Sequence, residues 1–153
     1  MIDDEAFMGM ALVEAQRAYD QGEIPIGAVL VQDGRVIARG HNLRESWRDA
    51  TAHAEMIVIR EACHLLDRWR LSGTTLYVTI EPCPMCAGAL VMSRVDRLVY
   101  GSSDYKAGAV ESLFNVVQNT ALNHRLEVTA GVRADECSRI MKNFFRQRRQ
   151  KNK

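Results

Sequence analysis

The 153-residue sequence predicts an α/β fold built on a mixed five-stranded sheet. Segments with helix spacing alternate with short β-branched runs along the chain. Asp33-Gly34 stands between two such runs and reads as a hairpin turn, which makes the first strand pair antiparallel. The later strands are separated by helical stretches, and a helical crossover returns the chain parallel.

The elements follow in order. Phe7, Met8, Ala11, Leu12, Ala15 and Ala18 recur at helical spacing over residues 4–21, and Gly22 stops the helix. Residues 26–32 form a buried strand and residues 35–39 its hairpin partner. Residues 40–52 are polar and irregular, and a helix is expected over 52–66. The apolar run Thr74 to Ile80 is a strand. Pro82 suits the first turn of a helix over 83–93, where its missing N–H costs nothing. A strand over 97–100, a polar loop over 101–108, a helix over 110–118, a short strand over 126–129 and a closing helix over 134–149 complete the reading. No repeat, linker or low-complexity stretch divides the chain, so residues 1–153 are expected to form one domain ending in a basic helix.

Composition narrows the class. With 47% hydrophobic and 25% charged residues, the chain has the balance of an ordinary globular protein. Its apolar runs, such as Ile26 to Val31, are too short to cross a bilayer. The start, Met1-Ile2-Asp3-Asp4-Glu5, is acidic and unlike a secretory leader, so a cytoplasmic location and no membrane partner are expected. The net charge of +1 hides an asymmetry. Arg139 to Lys153 holds seven of the 20 basic residues and no acidic one, leaving a balance of −6 on the rest. That segment is either a solvated helix face or a contact for an anionic partner, with nucleic acid the first candidate.

Two segments carry chemistry. Cys83 and Cys86 stand three apart at a helix start, where they share a face and where the helix end favours thiolates. His53, at the start of an earlier helix, offers a third donor. One imidazole and two thiolates suit Zn2+, and no fourth protein ligand stands at a credible spacing. A structural zinc site is normally closed by four ligands, whereas a catalytic one keeps a position for water. Glu55, two residues past His53, can sit beside the metal without binding it and move protons as a general acid–base group. The other two cysteines, Cys63 and Cys137, lie in amphipathic patterns and read as small buried hydrophobes. His64 and His124 lack ligand spacing and read as structural or polar contacts.

His53-Ala54-Glu55 followed by Pro82-Cys83-Pro84-Met85-Cys86 resembles the signature of the zinc-dependent nucleobase deaminases. The likeness extends through Glu23 to Val29, His41-Asn42, Trp69-Arg70-Leu71, Thr75 to Cys83, Asn123-His124 and Phe144-Phe145-Arg146. Over most of its length the sequence is similar to the bacterial tRNA-specific adenosine deaminases. That resemblance implies a three-layer α/β/α, cytidine-deaminase-like fold, one zinc per subunit and a homodimer. It also implies adenosine-to-inosine conversion at the wobble position of a tRNA anticodon stem-loop. The metal ligands would be His53, Cys83 and Cys86, and the catalytic acid–base group Glu55. Substrate contacts would fall at Ile26, Asn42, Ala54, Asp104, Lys106, Phe145, Arg146 and Arg149. The loop reads Asp104-Tyr105-Lys106-Ala107-Gly108, with Tyr105 where relatives often carry proline, and Val110-Glu111 replaces the small residues usual nearby.

Alternatives remain for single residues. Asn42 offers the donor and acceptor of a purine contact, but it also suits a turn after a strand. One of Phe144 and Phe145 is expected in the core. Two other functions share these features. One is deamination of a free base or nucleoside such as guanine or cytidine, which gives no use to a basic terminal helix. The other is a zinc-stabilised RNA-binding module, which gives no use to Glu55.

Overall fold

A computed structural model describes residues 3–151. The ends of the expected 1–153 domain, including the basic residue Lys153, lie outside the described residues. The element order is α1 (Asp4–Asp20), β1 (Gly27–Gln32), β2 (Arg35–His41), α2 (Arg44–Trp47), α3 (Ala54–Leu66), β3 (Thr74–Ile80), α4 (Pro84–Met92), β4 (Arg97–Ser102), β5 (Glu127–Ala130) and α5 (Ala134–Lys151).

The five strands form one sheet in the order β2-β1-β3-β4-β5. β1 runs antiparallel to both β2 and β3, whereas β3, β4 and β5 are parallel to one another. The hairpin turn is as expected. Asp33 and Gly34 both take positive φ, 52° and 76°, the pair that a two-residue turn of this hand requires.

Side-chain alternation on the strands splits the interior into two cores. Ala28, Leu30, Leu76, Val78, Leu98 and Tyr100 point to one face and are covered by α3 and α4. Val29, Val31, Tyr77 and Val99 point to the other and meet Met8 and Ala11 of α1 and Cys137 of α5. Because the central strands are buried on both faces, they read in sequence as continuous apolar runs. The result is three layers, α/β/α. Asp4 at the start of α1 ties the second layer to the sheet: it accepts from Arg97 at 2.8 and 2.7 Å and from the Tyr77 hydroxyl at 2.8 Å.

Three sequence expectations change. The helix expected over 110–118 is absent; residues 103–126 cross from β4 to β5 as turns and loop. The N–H groups of Val110, Glu111 and Ser112 bond the Glu81 carboxylate instead of starting a helix. Pro82 is not in a helical first turn either. Pro84 holds that place and Cys83 is the N-cap, while the Pro82 carbonyl accepts from the Ala109 N–H at 2.8 Å. Within the polar stretch 40–52 the short helix α2 forms, because the buried Glu23 carboxylate accepts from the N–H groups of Glu45 and Ser46 at 3.1 and 2.6 Å. Among the described residues, no helix is long and apolar enough to cross a membrane.

Candidate functional site

His53 and Cys83 are the N-cap residues of α3 and α4, both in extended backbone conformation. The two helices lie side by side on one face of the sheet and begin at the carboxyl end of β3, a usual place for a site in an open α/β sheet. Their N-termini leave backbone N–H groups unpaired and favour negative charge. Cys86, one turn into α4, returns to the same face as Cys83.

The donors converge. His53 Nδ1 is 3.6 Å from Cys83 Sγ and 3.6 Å from Cys86 Sγ. Zinc bonds of about 2.0–2.1 Å to nitrogen and about 2.3 Å to sulfur, at a tetrahedral angle, place those atoms roughly 3.5–3.6 Å apart. The donor set and its spacing therefore fit one small borderline-soft cation. Among the described residues, this is the group of three such donors close enough to share a metal. A hydrogen bond from Cys86, then one with His53, holds Cys83 down to about 4 as a thiolate. Hydrogen bonding to Cys83, and then burial, pushes Cys86 upward, and the bond with Cys83 raises His53.

Glu55 is only 4% exposed, within hydrogen-bonding reach of the Cys86 thiol. Burial raises its carboxyl to about 7, with the Cys83 charge acting in the same direction. A carboxyl balanced there can both take and give a proton near neutral pH.

The remaining site residues divide into groups. The Asn42 N–H bonds Ile26 O at 3.0 Å, its Nδ2 donates to Ile24 O at 3.3 Å, and its Oδ1 accepts from the Arg44 N–H at 3.2 Å. The turn reading of Asn42 is thus correct, yet its amide keeps one donor and one acceptor position free of these bonds. The Leu43 N–H to Ala52 O bond, 3.0 Å, stitches this segment to the approach of His53 and Ala54. Just before it, His41 sits between Glu14 Oε1 and Gln21 Oε1 at 3.0 and 3.1 Å. Asp104 Oδ1 accepts from the N–H groups of Lys106 and Ala107, and the loop they form presents Tyr105, 80% exposed, to solvent.

Phe145, Arg146 and Arg149 are not gathered with these groups. They lie on α5, in the layer on the opposite side of the sheet from α3 and α4, and all are exposed. Phe144 enters the core, with Tyr19 and Phe145 against its edges and the Arg148 guanidinium over its face. His124 donates from Nε2 to Val95 O at 2.7 Å, a structural role. Cys137 is fully buried, whereas Cys63 is half-buried with its thiol toward Trp69 O.

Besides Glu14 within α1, sequence reasoning missed two buried carboxylates, Glu23 and Glu81. Burial opposes ionisation of Glu81, but N–H and O–H donors from Glu111, Ser112 and Asp104 hold it at about 2. The available signal was position: each glutamate sits where an apolar run meets a loop, next to or near a proline.

A zinc-type His-Cys-Cys centre beside a buried carboxyl, at the helix starts of an α/β/α fold, defines the class of metal-dependent hydrolytic deaminases. The chain belongs to the MafB19-like deaminase family, whose model matches residues 2–149, and within it to the tRNA-specific adenosine deaminases. It is 53% identical to the tRNA-specific adenosine deaminase of Bacillus subtilis (strain 168), over 100% of this chain and 95% of that protein. A solved structure from studies of A-to-I editing by tRNA:A34 deaminases at the wobble position superimposes with a TM-score of 0.85. It is 50% identical, covering 88% of this chain and 98% of its own. The guanine deaminase of Bacillus subtilis is 38% identical with a TM-score of 0.65, covering 75% of this chain and 73% of its own.

Proposed function

We propose that this protein converts adenosine to inosine at the wobble position of a tRNA anticodon. One water is consumed and one ammonia released. The observation that carries the reading is the three-donor centre with Glu55 beside it, in a chain about half identical to tRNA-specific adenosine deaminases along its length. The guanine deaminase of Bacillus subtilis shares less sequence over less of the chain, which favours the RNA substrate.

His53, Cys83 and Cys86 hold the metal, taken as Zn2+. Zinc bound there supplies the Lewis acidity that lets water act as a nucleophile near neutral pH. Glu55 takes a proton from the attacking water and delivers one to the departing amino group, while the second water proton ends on ring N1, so that ammonia leaves and a carbonyl oxygen remains. Asn42 uses its free donor and acceptor on the purine edge, beside Ile26. The Ala54 N–H, at the first residue of α3, has no partner within its helix and adds positive potential. Asp104 and Lys106 meet the flanking nucleotides, and Phe145, Arg146 and Arg149 hold the RNA at a distance from the chemistry. Leu65, Trp69 and Met92, exposed where α3 and α4 end, supply apolar surface for a homodimer. A solution mass of one chain would remove that part of the reading. The cytoplasm, where tRNA is found, is the proposed location.

The test offers the protein an anticodon stem-loop, adenosine, cytidine and guanine, and follows ammonia. Turnover on the stem-loop alone is expected. Turnover on a free base or nucleoside instead would give the function to the small-substrate alternative, and RNA binding without ammonia would leave a non-catalytic module.

The basic helix end gives a separate expectation. Deleting residues 147–153 removes Arg148, Arg149, Lys151 and Lys153 and no acidic group. RNA affinity should fall and its salt dependence flatten by up to about 0.7 ion per lost phosphate contact on a single strand. Identical affinities across a salt series for full-length and truncated protein would show that the segment is only a solvated end.

A further inference from the structure

We propose that Glu81 is a positioning residue for RNA recognition, whose carboxylate holds the 104–112 loop in one conformation against the segment that supplies Cys83 and Cys86. The proposal rests on the reading above that Asp104 and Lys106 meet RNA.

Glu81 follows β3 directly and is 2% exposed. Its Oε1 accepts from the Asp104 N–H at 3.0 Å and from the Ser112 hydroxyl. Its Oε2 accepts from the N–H groups of Val110, Glu111 and Ser112 at 3.1, 2.9 and 3.0 Å. A carboxylate offers about four lone-pair positions. With five donors on it, Glu81 has nothing left for substrate, so its effect must pass through the loop.

The loop is built around this carboxylate. A Cβ at Gly108 would collide with the Glu81 carboxyl and the Asp104 carbonyl, so only glycine lets the chain pass this closely. The Gly108 N–H bonds Asp104 O at 2.8 Å, and the Ala109 N–H bonds Pro82 O at 2.8 Å. Glu81 thus grips both ends of the loop, while the adjoining Pro82 grips its middle. At the tip, Asp104 spends one oxygen on the N–H groups of Lys106 and Ala107, which leaves its other oxygen and the exposed Lys106 ammonium as the outward groups. Ordering such a loop on folding spares that cost on binding.

The loop ends are pinned to the residue two positions before a metal-ligating cysteine. A nucleotide held by the loop is therefore placed relative to the reacting atoms by a short rigid connection rather than by a mobile arm.

Glu81→Gln tests the proposal. The amide keeps one acceptor oxygen but turns an NH2 group toward the loop's N–H donors, so the loop should detach locally. Trypsin cleavage after Lys106, followed by fragment mass, should accelerate about tenfold or more. KM for the stem-loop should rise about tenfold, with kcat within about threefold and zinc retained. Ser112→Ala, which removes one of the five donors, should move both readouts the same way by less. Unchanged cleavage and unchanged KM in Glu81→Gln would overturn the proposal. So would loss of zinc and kcat together at constant KM, which would make Glu81 a support of the metal centre alone. If the wild type deaminates no RNA, the functional reading fails, and the rate of cleavage at Lys106 still decides whether Glu81 holds the loop.

Discussion

Replacing Glu55 by alanine is expected to lower turnover of the stem-loop by about 10²–10⁴-fold or more, with metal content unchanged. The loss should sit at the upper end, because one carboxyl would act twice, first on water and then on the leaving amine. Glu55 lies outside the donor triad, so the metal keeps all its protein ligands. Stability should hold or rise. The carboxyl is buried at a cost large enough to lift its pKa to about 7, and alanine removes that cost. Inosine formation, metal analysis and a thermal melt on the same preparation separate these effects. Near-normal turnover in a metal-loaded, folded variant would end the role given to Glu55.

Cys83→Ala and Cys86→Ala are each expected to lose metal and activity together, with metal affinity falling by more than about 100-fold. A centre with three protein donors has none to spare. The two variants should differ in how they fail. Cys83 is half-buried at the N-cap, and alanine there leaves the helix backbone intact. Cys86 is fully buried in the core layer, so its loss also leaves a small void. Cys86→Ala should therefore melt lower than Cys83→Ala, while both are equally inactive. Full zinc occupancy in either variant after dialysis would refute the ligand assignment.

The parts of this protein that were legible in the sequence are those fixed by near neighbours. The Asp33-Gly34 turn, the helical stripe from Phe7 to Ala18, the Cys83/Cys86 pair and the His53-Ala54-Glu55 segment each declare themselves within a few residues, although the last two stand apart in the chain. What the sequence hid depends on partners far along the chain. Val110, Phe114 and Val117 have helical spacing, yet the N–H groups that would start that helix go to Glu81, about 30 residues earlier. Pro82 and Pro84 were equally good first-turn residues until the Ala109 N–H claimed the Pro82 carbonyl. β4 runs two residues longer than expected because Ser102 pairs with Ile80. The short helix α2 forms because Glu23 caps it from 22 residues upstream. In the site, the donors and Glu55 could be read from residue type and spacing, whereas the internal bonding of Asn42 and the grip of Glu81 could not.

The burial along α5 has a consequence for how this protein can change. Cys137 anchors the helix to the sheet and Phe144 packs it on Tyr19 of α1, and from Phe145 to Lys151 each side chain is exposed. Substitutions beyond Phe145, apart from Arg148 over the Phe144 ring, should move folding stability by less than about 0.5 kcal/mol and combine additively with changes elsewhere. Electrostatic affinity for a polyanion can then be raised or lowered there, one residue at a time, without drawing on the margin that keeps the chain folded. The helix thus separates two demands that most enzymes must satisfy with the same residues, and its outer two turns are where a lineage could retune its RNA at least cost.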